Sequence, residues 1–193
     1  IQVEVPERAG SGAIRVTDDA GAASVSGTSL TVSYNTYKPD LVDDNGTGGY
    51  NFMYNTTFFS NAAAVASFER ALTTWRCNTY VQFNLSCGTT TPIGDNAMDG
   101  VNVVTFDGVT ALSPGVLAVC WAYSASCAAG IWYVTELDVK FRTNGTGGIN
   151  WEYGPALAAG SLIDFESVAL HELGHGHQLC HTTLTPPSVM ATT

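Results

Sequence analysis

The chain has 193 residues, enough for one well-packed domain with a small extension. Apolar residues make up 45% and charged residues only 12%, about half the usual charged share. The net charge is −10 and no cluster of Lys and Arg occurs, which argues against a nucleic-acid partner. No run of 18 or more apolar residues is present, so no bilayer-spanning helix is expected. The chain opens at Ile1 without a charged-then-apolar leader and reads as a mature form whose export signal, if any, is gone; a secreted monomer is expected.

Residues 1–45 are rich in Gly, Ala, Ser, Thr and Asp and read as an N-terminal extension, packed on or part of the main domain, 46–193. Alternation of apolar and polar residues predicts short strands there at 13–17 and 29–34. The loop 43–49 carries Asp43, Asp44 and Asn45, whose oxygens could hold Ca2+. A solvated turn is the simpler reading of it, and nothing else in the sequence supports calcium.

A strand at 50–54 is followed by Asn61, a good helix cap, and by a helix over 62–75 with Val65, Phe68, Leu72 and Trp75 along one stripe. Further strands are predicted at 81–85, 101–106, 116–123 and 131–141, the last long or bent, with a turn at 96–100 before the second of these. A Gly-rich loop over 143–161 then leads to a second helix, capped by Asp164. One long helix early and one late, around a twisted sheet, make an α+β domain.

Five cysteines are present. Cys77 with Cys87, and Cys120 with Cys127, are close enough to staple local loops in an oxidising setting, although spacing alone does not decide pairing. Cys180 is left over and reads as a small buried hydrophobe. A thiolate that competes for a metal is its sharper reading.

The second helix carries His171-Glu172-Leu173-Gly174-His175. His171 and His175 are four apart, so they share a helix face, the spacing two imidazoles need to hold one zinc with Glu172 as a general base. Phe165, Val168, Ala169 and Leu173 are expected on the sheet, with His171, Glu172 and His175 facing the other way. Zinc in a catalytic site takes three protein ligands and a water. His177 follows His175 too closely and points away. His181 lies far enough on for the chain to leave the helix and return. Gly174 and Gly176 weaken the helix there, which suits an early ending.

His171-Glu172-x-x-His175-x-x-x-x-x-His181, followed by Ser188-Val189-Met190, resembles the metzincin clan of zinc endopeptidases, in its matrixin branch and bacterial-type matrixin relatives. The helix ending in Phe68-Glu-Arg-Ala-Leu-Thr-Thr-Trp75, the strand Val81-Gln-Phe and the run Phe165-Glu-Ser-Val-Ala-Leu are similar to matrixins too. The resemblance covers roughly residues 50–190. It implies zinc on His171, His175 and His181, Glu172 as the base, and Met190 in a tight turn beneath the metal. It implies a mostly parallel sheet of about five strands, with an antiparallel cleft-edge strand near 116–123 to which a protein or peptide substrate adds as an extra strand.

Three departures from the clan stand out. The clan has Gly with positive φ where this chain has Gln178, at a cost of roughly 1–2 kcal/mol. No histidines remain for a structural zinc segment, since all four are in the motif. The sequence ends three residues after Met190, so the expectation is a chain truncated at its C-terminus or an unusually brief member. The function expected is hydrolysis of peptide bonds by a zinc-activated water. The alternative is a zinc-containing binding module that has kept the fold and lost catalysis.

Overall fold

The computed structural model describes residues 12–30, 37–39, 50–78, 83–94, 97–108, 110–126, 132–182 and 188–191. The chain forms two compact units, 1–35 and 36–193. In the first, strands β1 (Gly12–Thr17) and β2 (Ala23–Leu30) pair antiparallel. Their turn is closed by Asp18, whose carboxylate accepts from the Ala20 and Ala22 amides at 3.0 and 2.8 Å, as turn-forming Asp does. The strand expected at 29–34 thus begins earlier, at Ala23, and its later residues lie outside those described. So do Asp43, Asp44 and Asn45, the calcium candidates.

The second unit is a mixed α+β domain. Its strands are β3 (Tyr37–Pro39), β4 (Tyr50–Asn55), β5 (Phe83–Thr91), β6 (Asn102–Phe106), β7 (Ala118–Ser126) and β8 (Trp132–Phe141). They form one six-stranded sheet in the order β3-β8-β6-β4-β5, with β7 also on β8. All neighbours are parallel except β7 and β8. The antiparallel ladder of β7 runs along all of β8, so β3 and β6 share the opposite edge of β8 at its two ends. Along its other edge β7 meets no strand among the described residues. The sheet exceeds the expected five strands by β3, too short to show a period in sequence.

Helices α1 (Thr56–Phe59), α2 (Ala62–Asn78) and α3 (Phe165–Gly176) cover one face. The Phe141 ring of β8 meets Phe58, Phe68 and Phe165, one from each helix, with centroids 6.0, 6.0 and 4.4 Å away. Each of these rings is fully buried, worth about 1.5–3 kcal/mol of apolar transfer apiece. Helix α2 starts where expected, with Asn61 Oδ1 accepting from Ala64 N–H at 3.1 Å. It continues to Asn78, past the predicted end at Trp75. The four-residue α1 is too short for its pattern to be read in sequence.

The other face of β8 is buried as well. Along β8, Leu137, Val139 and Phe141 face the helices, and the alternating Glu136, Asp138 and Lys140 are just as buried. The loop before β6, β6 itself and the segment after it supply their partners. Glu136 accepts from the Asp99 and Gly100 amides, Asp138 from the Val103 amide, and Lys140 donates to the Thr110 carbonyl. Alternation usually signals a solvated polar face. Only the tertiary packing reveals that this one is enclosed.

A short parallel pair, β9 (Trp151–Glu152) with β10 (Ile163–Asp164), delivers the chain to α3. Between β8 and β9 a single 3-10 turn, Thr146–Gly148, interrupts the Gly-rich loop.

Candidate metal centre

Helix α3 begins as its sequence predicts. Asp164 is extended (φ −70°, ψ 109°) and its carboxylate accepts from Ser167 N–H at 2.7 Å, covering one of the amides the first turn leaves free. Phe165, Ala169 and Leu173 are fully buried against the sheet, and His171 and His175 emerge on another face.

The helix ends after Gly176, and the turn that follows redirects the chain. Gln178 N–H donates to His175 O at 2.8 Å and Leu179 N–H to Gly174 O at 3.1 Å, the paired bonds of a Schellman cap. That cap requires a left-handed residue, and Gln178 supplies it with φ 65°, the one non-glycine with positive φ among the described residues. The Gln178 amide group also donates to His175 O and Gly176 O, at 3.2 and 3.4 Å. These bonds offset part of the left-handed cost.

The turn brings His181 back to His171 and His175. The three Nε2 atoms form a nearly equilateral triangle with edges of 3.0, 3.1 and 3.1 Å, and the three side chains are grouped closely enough to hold one metal ion. Their tautomers are set from behind. His171 Nδ1–H donates to Val189 O at 2.7 Å and His175 Nδ1–H to Leu179 O at 2.8 Å. A neutral imidazole has only one N–H, so Nε2 of both rings carries a lone pair toward the third. Lone pairs at this separation repel, and a cation between them turns repulsion into coordination. Zinc with Zn–N of about 2.0–2.1 Å in tetrahedral geometry needs N···N of about 3.3–3.4 Å, an opening of a few tenths of an ångström. The donor set fits zinc. Burial, and after it the neighbouring His171 and His181, holds His175 below the usual imidazole range, although the Leu179 carbonyl works the other way. The ring therefore stays neutral, as a ligand must.

His177 points elsewhere, as its spacing predicts. Its ring lies 4.5 Å from that of Trp75 on α2, and burial pushes its pKa down to about 4. Glu172, which lies between the two helical histidines, is buried where α3 packs against β7. Burial pushes its carboxyl up to about 7, and the Cys120 backbone N–H from β7 pulls in the opposite direction. A carboxyl with this pKa can both take and return a proton near neutrality.

Met190 is buried, and its turn is closed by Ala191 N–H on Ser188 O at 2.9 Å. The turn is tied to the chain after His181 by Thr182 N–H on Met190 O at 2.8 Å. Gly174 has a purpose other than weakening the helix: Met190 Sδ occupies the space a side chain there would take.

Sequence reading missed three groups. The carbonyls of Leu179 and Val189 are backbone and carry no residue signature. Trp75, read only as apolar, donates its indole N–H to Leu170 O at 2.9 Å, one residue before the first histidine. Cys180 is exposed, not a small buried hydrophobe, and takes no part in the metal-ligand group. Cys77 and Cys120 are likewise free thiols, and the side chains of Cys87 and Cys127, their expected partners, lie outside the described residues. No known protein-family profile matches the chain, and no curated protein matches it.

Proposed function

We propose that this chain is a zinc-dependent endopeptidase with His171, His175 and His181 as ligands and Glu172 as the general base. The observation that carries the reading is the convergence of three Nε2 atoms, two with Nδ1 committed to carbonyls, next to a buried carboxyl raised to about 7. Zinc at this triad would supply Lewis acidity and lower the pKa of a bound water from about 15.7 toward 7. Glu172 would serve as the general base, holding a proton taken from the attacking water and returning it to the leaving amine. The Cys120 amide orients the carboxylate and ties it to β7. The edge of β7 that meets no strand among the described residues would offer backbone donors and acceptors to an extended peptide, so the main chain gives the binding and side-chain pockets the selectivity.

The resemblance of the His171–His181 motif and the Met190 turn to metzincins supports the same chemistry. A peptide-library cleavage assay with and without a chelator, with zinc added back, tests it alongside elemental analysis. We expect one zinc per chain, cleavage lost on chelation and restored by zinc. Glu172→Gln keeps the metal and loses about 10²–10⁴-fold in rate. Undiminished turnover in that variant sinks the base assignment. Stoichiometric zinc with no cleavage points to a binding module instead.

A further inference from the structure

The start of β7, whose outer edge meets no strand among the described residues, depends on the segment that feeds it, and that segment is held by a buried charge pair. Residues 110–117 form no regular structure, and most of their side chains are exposed. Their backbone nevertheless turns inward onto one guanidinium. Arg142 Nε donates to Val116 O at 2.8 Å, and Nη2 to Leu112 O at 3.2 Å and to Ser113 O. Asp107, just past the end of β6, completes the arrangement. Its Oδ2 lies 4.0 Å from Arg142 Nη1 and accepts from Leu112 N–H at 3.1 Å, and its Oδ1 accepts from Thr143 N–H at 2.5 Å. The two side chains are 0% and 6% exposed, for Asp107 and Arg142 respectively. The turn at 146–148 closes over the guanidinium, with the Cβ position of Gly147 3.4 Å from Nη1.

The held segment leads directly into the binding strand. Arg142 N–H donates to Leu117 O at 2.8 Å, and Ala118 is the first residue of β7, opposite Phe141. Two residues later comes Cys120, whose amide meets Glu172. A buried ion pair adds little net stability over apolar residues of the same volume, since desolvation offsets the attraction. What arginine adds is direction, with donors in a rigid fork that a lysine cannot reproduce. Here that fork fixes three carbonyls at once.

We propose that Asp107 and Arg142 are positioning residues that set the start of β7 as the substrate-binding edge. The proposal rests on the endopeptidase reading. The pair touches neither substrate nor metal, and Cys120 keeps its own pairing with Val139 of β8, so loss of the pair acts on binding of the peptide and not on the chemical step.

The test compares the zinc-loaded full chain with Arg142→Lys, and with Asp107→Asn as a milder second variant should the first fail to fold. Two readouts are taken: hydrogen exchange of residues 112–123 against 165–176, and KM with kcat on a fluorogenic casein-derived peptide. We expect exchange in 112–123 to rise about tenfold, with 165–176 and the zinc content unchanged. We expect KM to rise about tenfold and kcat to stay within about twofold. Equal exchange gains in both segments mean general destabilisation and overturn the proposal, as does a fall in kcat at constant KM. If the wild-type chain cleaves no peptide, the endopeptidase reading falls and the substrate role with it. A local rise in exchange then still identifies the clamp, and no change in 112–123 removes it too.

Discussion

Met190 and Gly174 are in direct contact: a Cβ on Gly174 would overlap Met190 Sδ and stand 3.2 Å from its Cε. Gly174 lies in α3 between the two helical histidines, and the turn holding Met190 also offers the Val189 carbonyl to His171. One contact therefore ties the helix to the turn that orients its first ligand.

Replacing Gly174 by Ala tests the contact. Helix propensity alone favours Ala by about 1 kcal/mol, but overpacking costs about 1–3 kcal/mol. We expect net destabilisation in urea titration and weaker zinc binding. Met190→Ala in the Gly174→Ala background should cost less than the two single changes added together, because the removed side chain makes room. Additive losses would show that the two residues do not interact.

Gln178→Gly should stabilise the protein. The left-handed φ of 65° costs a non-glycine residue roughly 1–2 kcal/mol. Glycine gives back about 0.5–1 kcal/mol of that in unfolded-state entropy. The expected net gain is about 0.5–1 kcal/mol, reduced by loss of the amide bonds to His175 O and Gly176 O. Gln178→Ala keeps the backbone strain and loses those bonds, so it should be less stable than wild type. Denaturant midpoints order the three proteins, and a Gly variant below wild type would contradict this account of the turn.

The two candidate third ligands separate cleanly. His181→Ala should abolish stoichiometric binding of Co2+, read from its visible absorption, because the Nε2 triangle loses a corner. His177→Ala should bind Co2+ as wild type does, since its ring packs on Trp75. Metal loss in the second variant would reassign the site.

In the metal-free protein, Glu172 should make stability fall with rising pH. Its carboxyl stands at about 7 against an ordinary 4.5. The folded state thus holds the proton more tightly than the unfolded chain. The contribution is full below the ordinary value and is lost as pH rises through about 7. His177, pushed down to about 4 by burial, works oppositely: its contribution is present above the ordinary imidazole range and is lost as pH falls toward 4. Comparing wild type with Glu172→Gln isolates the carboxyl. The variant should gain stability relative to wild type between about pH 5 and pH 8, and parallel profiles would remove the buried-acid account.

Much of the architecture was legible in the chain. The stripe through Phe68 and Leu72, the caps Asn61 and Asp164, and the alternation in β4 are local signals, and the structure follows them. The short α1 and β3 had too few residues for a period to show. The buried polar face of β8 was invisible for a different reason. Glu136, Asp138 and Lys140 obey the alternation of a solvated strand, and their partners come from Asp99 and Gly100, from Val103 of β6 and from Thr110, all far away in sequence.

The sequence by itself determined which imidazoles meet. A four-residue step on a helix and a longer step through a turn are local geometry, and His171, His175 and His181 follow from it. Tertiary structure alone decided what aims them and what faces them. The carbonyls of Leu179 and Val189 have no residue identity to read. Glu172 is buried where α3 packs against β7. The Asp107–Arg142 pair forms only once the ends of β6 and β8 lie side by side in the sheet. Side-chain spacing is written along the chain, but backbone partners and burial arise only when distant segments pack.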